Sequence, residues 1–206
     1  MKEVMQQYTL PLRGPRKYHA DDFIFSSCNA ELRAVVDNIS KEWGHKPYPE
    51  IILLVGPKAS GKTHFCNLIH QRDSSVMIID DIDAKEEVDI FHAFNSCHEN
   101  NQRALFTCKE YKKFNLPDLK SRLASVKVVS IDLPDDLMMK SLLIKALTER
   151  SIKVSDEVIK FLLTRVPRSF AAVESSVELI DRLSIEQKRN ISTHFLSSIN
   201  LNLDEL

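Results

Sequence analysis

The apolar residues of this chain follow two patterns. Short apolar stretches at Ile51–Val55, 76–79, 103–107 and 126–131 have the length of strands that are buried on both faces of a sheet. Between them, apolar residues recur at the three-to-four-residue spacing that is typical of helices packed on a sheet. This alternation predicts an α/β fold with a parallel sheet of roughly four strands.

Beyond residue 133 the apolar pattern is helical throughout, and no further strand is predicted. In this region helices are predicted to start at 135 and at 155 and to span 168–183 and 191–201. One further helix is predicted before the first strand, at 29–43, where Asn29 is a candidate cap. We therefore expect an N-terminal arm at 1–18, an α/β domain at 19–133 and a small helical lid domain at 134–206.

Composition excludes several classes of protein. The 206 residues carry a formal net charge of -1, so the chain has no overall basic surface for nucleic acid. The 4 cysteines show no C-x-x-C spacing, which indicates reduced thiols rather than a zinc site. No apolar run approaches the ~20 residues of a membrane span, and the first residues lack the apolar core of a signal peptide. These features predict a cytoplasmic protein without a membrane partner.

The strongest chemical signal follows the first strand, where the sequence matches the phosphate-binding loop G-x-x-x-x-G-K-T. The loop glycines allow successive backbone N–H groups to face a phosphate, Lys62 supplies a positive charge, and the Thr63 hydroxyl can bind Mg²⁺. The residues expected to contact the nucleotide here are Gly56, Ala59, Ser60, Gly61, Lys62, Thr63 and His64. The pattern predicts binding of ADP or ATP with Mg²⁺.

A second signal follows the second strand. Asp80 and Asp81 stand directly after an apolar run, where a buried strand would deliver two carboxylates to the nucleotide. Asp80 is predicted to hold Mg²⁺ and Asp81 to orient an attacking water. The alternative is a turn or helix cap built from aspartates.

The N-terminal arm contains one further candidate. Pro11 favours extended backbone, so Leu10 and Leu12 project on one side of a polar segment. These leucines could bind a partner or fold back on the chain's own surface.

Five segments together resemble the DnaA/Hda branch of the AAA+ family, a family of nucleotide-binding proteins with a helical lid. Four of them resemble the entry segment, phosphate loop, Mg²⁺ strand and following helix of the initiator DnaA: 19–25, 61–64, 78–82 and 91–95. The fifth, 116–123, is similar to the Arg-finger segment of the Hda-like regulators. The arm at 7–12 is also similar to the hexapeptide by which these regulators dock on the replicative sliding clamp.

The resemblance implies a role in controlling replication initiation. Gln7, Leu10 and Leu12 would bind the sliding clamp, the beta subunit of DNA polymerase III, with DNA contacted only indirectly. Arg122 would act in trans as the finger that promotes ATP hydrolysis by DnaA. In the chain's own site, Phe23 and Ile24 would border the base, although ordinary core packing is an equal alternative.

The sequence also departs from this family. The interval between Thr63 and Asp80 is too short for the additional strand and helix of the initiator. The initiator also carries a DNA-binding domain after its lid, whereas the present sequence ends near the expected lid, at Leu206. The lid position that holds an arginine aligns with Ala171, and Arg168, nearly one turn earlier, is the candidate substitute for binding the nucleotide. No residue at 107–110 clearly matches the family's polar sensor, so ATP hydrolysis by the chain itself is left open.

Two other functions therefore stay open. One is an autonomous AAA+ ATPase, such as a helicase loader or a DnaA-type initiator fragment, in which Asp81 orients water. The other is an interaction module whose nucleotide site only stabilises the fold. The sequence does not decide between ADP and ATP and does not give the oligomeric state.

Overall fold

The computed structural model describes residues 22–38, 51–110, 114–187 and 190–198. The arm with Gln7, Leu10 and Leu12 lies outside the described residues, as does the last third of the helix predicted at 29–43, residues 39–43. The predictions for these segments are therefore not addressed by the structure.

The strands form one parallel sheet, which confirms the predicted α/β fold. They are β1 (Ile51–Val55), β2 (Met77–Ile79), β3 (Ala104–Cys108) and β4 (Lys127–Ser130). Their order in the sheet is β2-β3-β1-β4, with all three pairings parallel. The strand that leads into the phosphate loop is therefore an inner strand, and β3 lies between it and β2, which directly precedes Asp80.

The helices of this part cover both faces of the sheet. They are α1 (Ala30–Asn38), α2 (Lys62–Arg72), α3 (Glu87–Glu99) and α4 (Pro117–Ser125). Proline at the first position of α4 suits a helix start, because that position needs no N–H donor. Asn29 does not cap α1 as expected. Its side chain instead accepts the Ser26 N–H and donates to the Ile24 carbonyl, which closes a turn before the helix.

The central strand β1 is buried on both of its faces, as its apolar run predicted. Ile52 and Leu54 belong to one core cluster, together with residues of α1 and α2. Ile51 and Leu53 belong to a second cluster on the opposite face, together with residues of α3 and α4. This double burial fixes the end of β1, and hence the start of the phosphate loop, within the molecule.

The remaining helices form the lid. They are α5 (Asp136–Glu149), α6 (Asp156–Leu163), α7 (Phe170–Gln187) and α8 (Thr193–Ser198). Asp135 caps α5 by accepting the Met138 N–H at 2.7 Å. The helix predicted at 168–183 begins two residues later, because the Ser169 hydroxyl accepts the Ala172 N–H at its start. None of the helices within the described ranges is long and apolar enough to cross a membrane.

The lid helices enclose a separate apolar core, which contains Leu143, Leu162 and Val177. The lid also contributes Met138 and Phe170 to the core cluster that contains Ile52 and Leu54 of β1. The lid and the sheet therefore share packing next to the phosphate loop.

Candidate functional site

The phosphate loop connects β1 to α2 through two residues with left-handed backbone. Ala59 has φ 65° and Gly61 has φ 91°, and α2 starts directly after Gly61. Gly56 is packed so closely that a Cβ there would lie 2.9 Å from Ser60 Oγ and 3.0 Å from Ile131 Cβ. Any larger residue at position 56 would therefore push the loop out of shape.

Lys62 is buried at the start of α2, and its ammonium group stays inside the loop. Its Nζ donates to the carbonyls of Gly56 at 2.7 Å and Pro57 at 2.9 Å. Burial lowers the pKa of Lys62, whereas the nearby carboxylates of Asp81, Asp83 and Asp80 act in the opposite direction. The carboxylates that follow β2 are thus close enough to influence the loop lysine.

Thr63 and Asp80, the two predicted Mg²⁺ ligands, are in direct contact. Thr63 Oγ1 donates to Asp80 Oδ2 at 2.6 Å, although the two residues belong to different elements. The Cys66 thiol lies behind them, with its Sγ 3.9 Å from Asp80 Oδ1, and burial raises the pKa of this thiol. The structure therefore brings the ends of the two predicted motifs together.

Asp81 follows in a left-handed conformation, with φ 52° and ψ 57°. It precedes a short turn of 3-10 helix at Ile82–Ala84, and its side chain is exposed. Aspartate tolerates this backbone better than most residues because its short polar side chain can bond locally. The chain turns at Asp81, directly after Asp80, so the two neighbouring carboxylates have different surroundings: Asp80 is partly buried and bonded to Thr63, whereas Asp81 is exposed.

Thr107 also belongs to this site, although its sequence position alone did not identify it as a site residue. Thr107 lies in β3, is fully buried, donates its hydroxyl hydrogen to Asp80 Oδ1 and accepts the Asp81 N–H at 2.8 Å. The sequence signal that could have indicated Thr107 is a polar residue near the C-terminal end of an otherwise apolar strand. Its partners depend on the strand order, which the sequence pattern does not give.

The residues of this site fit both a phosphate group and Mg²⁺. Ser60 Oγ is buried without a hydrogen-bond partner in the described structure, and it lies inside the loop that would surround a phosphate. The start of α2 adds the positive end of a helix. Thr63 and Asp80 supply the hard oxygen ligands that Mg²⁺ prefers, and Mg²⁺ commonly takes only one or two protein carboxylates when phosphates complete its shell.

The described part of the entry segment, residues 22–25, lies beside the loop. The Phe23 ring packs edge-on to the His64 ring at a centroid distance of 5.3 Å and also contacts Phe65. Ile24 is partly buried against the core cluster that contains Ile52 and Leu54 of β1. The Lys145 ammonium group of the lid donates to the Asp22 carbonyl at 2.6 Å, so the segment is also linked to the lid.

Two predicted site residues are bound elsewhere in the described structure. Arg168 is exposed and pairs with Asp136 at 2.7 Å, at the start of the lid. The Arg122 guanidinium stacks over Phe91 at 5.2 Å and Phe94 at 5.7 Å, so it packs on α3. Arg168 therefore pairs within the lid rather than with the cluster formed by Lys62, Thr63 and Asp80. Arg122 is predicted to act on the nucleotide of another protein and is not expected in this cluster.

The lid is the part of the chain that matches a known family model. Residues 135–199 match the model described as "Hda, lid domain". This match covers the described helices of the lid, and it falls within the region for which the sequence predicted a separate helical domain.

Curated relatives extend the similarity into the α/β part. The chain is 28% identical over 186 residues to an uncharacterized protein of Haemophilus influenzae, an alignment that covers 72% of this chain and 80% of that protein. It is 23% identical to the chromosomal replication initiator protein DnaA of Francisella philomiragia, over 85% of this chain. That alignment covers 45% of the initiator, so the chain spans about half of the DnaA relatives it matches.

Solved structures confirm the fold. Domain III of DnaA from Thermotoga maritima superposes with a TM-score of 0.69 at 17% identity, covering 91% of this chain and 96% of that domain. DnaA bound to AMPPCP and single-stranded DNA gives a TM-score of 0.62 at 17% identity, covering 84% of this chain and 68% of that chain. The chain is thus similar to the Hda lid family in its C-terminal part and to DnaA in sequence over most of its length, and it shares the fold of DnaA domain III.

Proposed function

We propose that this chain is a nucleotide-binding regulator of replication initiation that promotes ATP hydrolysis by DnaA. In this proposal it docks on the sliding clamp through Gln7, Leu10 and Leu12 and presents Arg122 to the nucleotide of a neighbouring DnaA. The observation that carries the proposal is the combination of a complete phosphate loop with an Hda-type lid.

Binding of ADP or ATP is supported by the geometry around α2. Backbone N–H groups of the loop and Lys62 would bind the phosphates, and Thr63 and Asp80 would hold Mg²⁺. When bound, Mg²⁺ neutralises phosphate charge. The related DnaA structure that contains AMPPCP supports the same kind of ligand for this chain.

The entry segment gives the nucleotide a route to influence the lid. Phe23 and His64 lie beside the loop, and the lid residue Lys145 binds the backbone of Asp22. A nucleotide in the loop would therefore stabilise contacts of the sheet and the lid together. In a regulator, this makes the bound nucleotide a structural ligand that keeps the chain in its active shape.

Arg122 is the proposed finger because an arginine near the end of α4 can supply charge to a second protein's phosphates. Its contact with Phe91 and Phe94 limits the orientations of the side chain, and the residue is only partly buried. An arginine finger of this kind can increase the rate of phosphoryl transfer by about 10³–10⁵-fold.

The direct test is hydrolysis of ATP bound to DnaA, measured with DNA-loaded clamp in the presence and absence of this protein. We expect faster hydrolysis when the protein is added. No acceleration at any ratio of the two proteins would contradict the proposal.

Clamp docking is tested separately by replacing Leu10 and Leu12 with alanine. The double variant is expected to lose binding to the isolated clamp, since the leucines would fill an apolar cleft. Replacing Leu201 and Leu203, a similar pair near the other end of the chain, is the matched control. Unchanged clamp binding by the Leu10 and Leu12 variant would contradict the docking site.

An autonomous ATPase is the second candidate function, because Lys62, Thr63, Asp80 and Asp81 are all present. Steady-state ATP hydrolysis by the purified chain, abolished by Asp81→Asn and unaffected by Arg122→Ala, would favour it. A regulator gives the opposite pattern, in which Arg122→Ala removes the effect on DnaA.

A further inference from the structure

Thr107 occupies an unusual place between the two motifs of the site. On one side it pairs in register with Leu54 of β1, and on the other side Phe106 pairs with Ile79, the last residue of β2. Thr107 therefore stands level with Asp80, inside the sheet. Its side chain is fully buried.

Both hydrogen-bonding functions of the Thr107 hydroxyl are used within the chain. The single hydroxyl hydrogen goes to Asp80 Oδ1, and the oxygen accepts the Asp81 N–H at 2.8 Å. A threonine has only one hydrogen to donate. In this arrangement Thr107 cannot also donate to a phosphate, so its bonds define the geometry of the two aspartates instead.

The two threonines bond to different oxygens of the Asp80 carboxylate. Thr107 binds Oδ1, while Thr63 binds Oδ2 at 2.6 Å. Thr63 is exposed and comes from the helix that follows the loop, whereas Thr107 is buried in the neighbouring strand. Thr107 thus bonds Asp80 Oδ1 from the interior of the sheet, and Asp80 Oδ2 is directed toward Thr63. Thr63 and Asp80 are the two predicted Mg²⁺ ligands.

The bond from Asp81 fixes a strained backbone. A left-handed conformation is unfavourable for a residue with a Cβ, and such conformations persist where surrounding contacts hold them. The Asp81 N–H bond to Thr107 is one such contact, and the bond from the Ala84 N–H to the Asp81 carbonyl at 3.0 Å is another. Thr107 therefore also determines where the chain turns after Asp80.

We propose that Thr107 is a positioning residue for Mg²⁺, acting through Asp80 and through the backbone of Asp81. This inference rests on the nucleotide binding proposed above. It assigns to Thr107 a role in orienting metal ligands, rather than a contact with the nucleotide.

The test compares Thr107→Val, which removes the hydroxyl and keeps the shape, with Thr107→Ser, which keeps the hydroxyl. Binding of ATP is titrated against Mg²⁺, and the concentration of Mg²⁺ that gives half of its effect on affinity is measured. We expect this concentration to rise about 10-fold or more in Thr107→Val, the size typical of losing a residue that orients a metal ligand. Thr107→Ser should stay close to the unsubstituted protein.

Ser176→Ala is the matched control, because Ser176 is also a fully buried hydroxyl and donates only to the Ala172 carbonyl in the lid. It should change stability without changing the Mg²⁺ titration. An unaltered Mg²⁺ titration in Thr107→Val would overturn the inference alone. If the unsubstituted protein binds no nucleotide at any Mg²⁺ concentration, both the proposed nucleotide binding and this inference are overturned.

A second readout does not depend on nucleotide and covers the case in which Thr107→Val is poorly folded. Amide hydrogen exchange of Asp81 is measured in the unsubstituted protein and in Thr107→Ser. Protection of the Asp81 amide in both proteins supports the hydroxyl bond, and rapid exchange in the unsubstituted protein overturns it.

Discussion

The most unusual backbone of the phosphate loop is that of Ala59, which has φ 65°. Glycine adopts this region without penalty, but a Cβ comes close to the following carbonyl oxygen. Ala59 is exposed, so its methyl group gains little from packing. The loop therefore holds a strained residue next to Ser60 and Gly61, and this strain is balanced by the rest of the fold.

Replacing Ala59 by glycine should raise the free energy of unfolding by about 1 kcal/mol, because relief of the left-handed strain exceeds the added entropy of the unfolded chain. Urea denaturation measures the change. Ala34→Gly is the matched control, since Ala34 is exposed within α1 and should lose about 1 kcal/mol. A loss in Ala59→Gly similar to that of the control would contradict this account.

At the scale of elements, α3 and α4 form the unit that carries Arg122. Near the end of α4, the Arg122 guanidinium stacks on Phe91 and Phe94 of α3. At its start, the Glu87 carboxylate of α3 accepts the N–H groups of Asn115 at 2.8 Å and Leu116 at 2.6 Å. The helix with the proposed finger is thus held at both ends by the preceding helix.

The Glu87 contact predicts a pH dependence. The two backbone N–H bonds lower the pKa of Glu87 from its ordinary value of 4.5, with a smaller contribution from the charge of Lys120. A depressed pKa adds stability at pH values above the ordinary value, and that stability is lost as the pH falls through the folded-state pKa. The contribution is therefore present at neutral pH and disappears in acid below 4.5.

Glu87→Gln should thus be less stable than the unsubstituted protein at neutral pH, and the difference should shrink in acid. The measurement is the free energy of unfolding in urea from about pH 7 to about pH 3. Glu86→Gln is the matched control, because Glu86 is exposed and makes no side-chain capping bond. A constant difference between Glu87→Gln and the unsubstituted protein across this range would refute the assignment.

The elements also show what the sequence could and could not predict. Buried strands and amphipathic helices have distinct apolar spacing, so the sheet and the lid helices were predicted with ends that differ by a few residues. Strand order depends on contacts between distant segments, and it alone places Thr107 against Asp80. The pairing of Arg168 with Asp136 likewise depends on how the lid turns, so spacing along the chain did not reveal it.

On the scale of the whole molecule, the proposed nucleotide site lies where the sheet, the entry segment and the lid meet. Phe170 and Met138 of the lid belong to the core cluster that also contains Phe65 and Cys66 of α2. The Ser27 hydroxyl donates to Asp135 at the start of the lid. A ligand bound at the loop is therefore expected to stabilise the molecule as one unit.

ADP or ATP with Mg²⁺ should raise the melting temperature. A ligand at about 100 times its Kd adds about 2.7 kcal/mol, which corresponds to roughly 5–10 °C for a chain of this size. Lys62→Ala should lose this shift, whereas Lys58→Ala, which removes an exposed lysine of the same loop, should keep most of it. Equal shifts in the two variants would contradict the assigned role of Lys62.

The central claim is that Arg122 acts on the ATP of DnaA, and the most direct measurement is the rate of that hydrolysis with DNA-loaded clamp. The unsubstituted protein, Arg122→Ala and Arg165→Ala are compared, because Arg165 also stacks on a phenylalanine, Phe161, but lies in the lid. We expect the unsubstituted protein and Arg165→Ala to accelerate hydrolysis equally and Arg122→Ala to leave it near the rate of DnaA alone. Full acceleration by Arg122→Ala would contradict the claim.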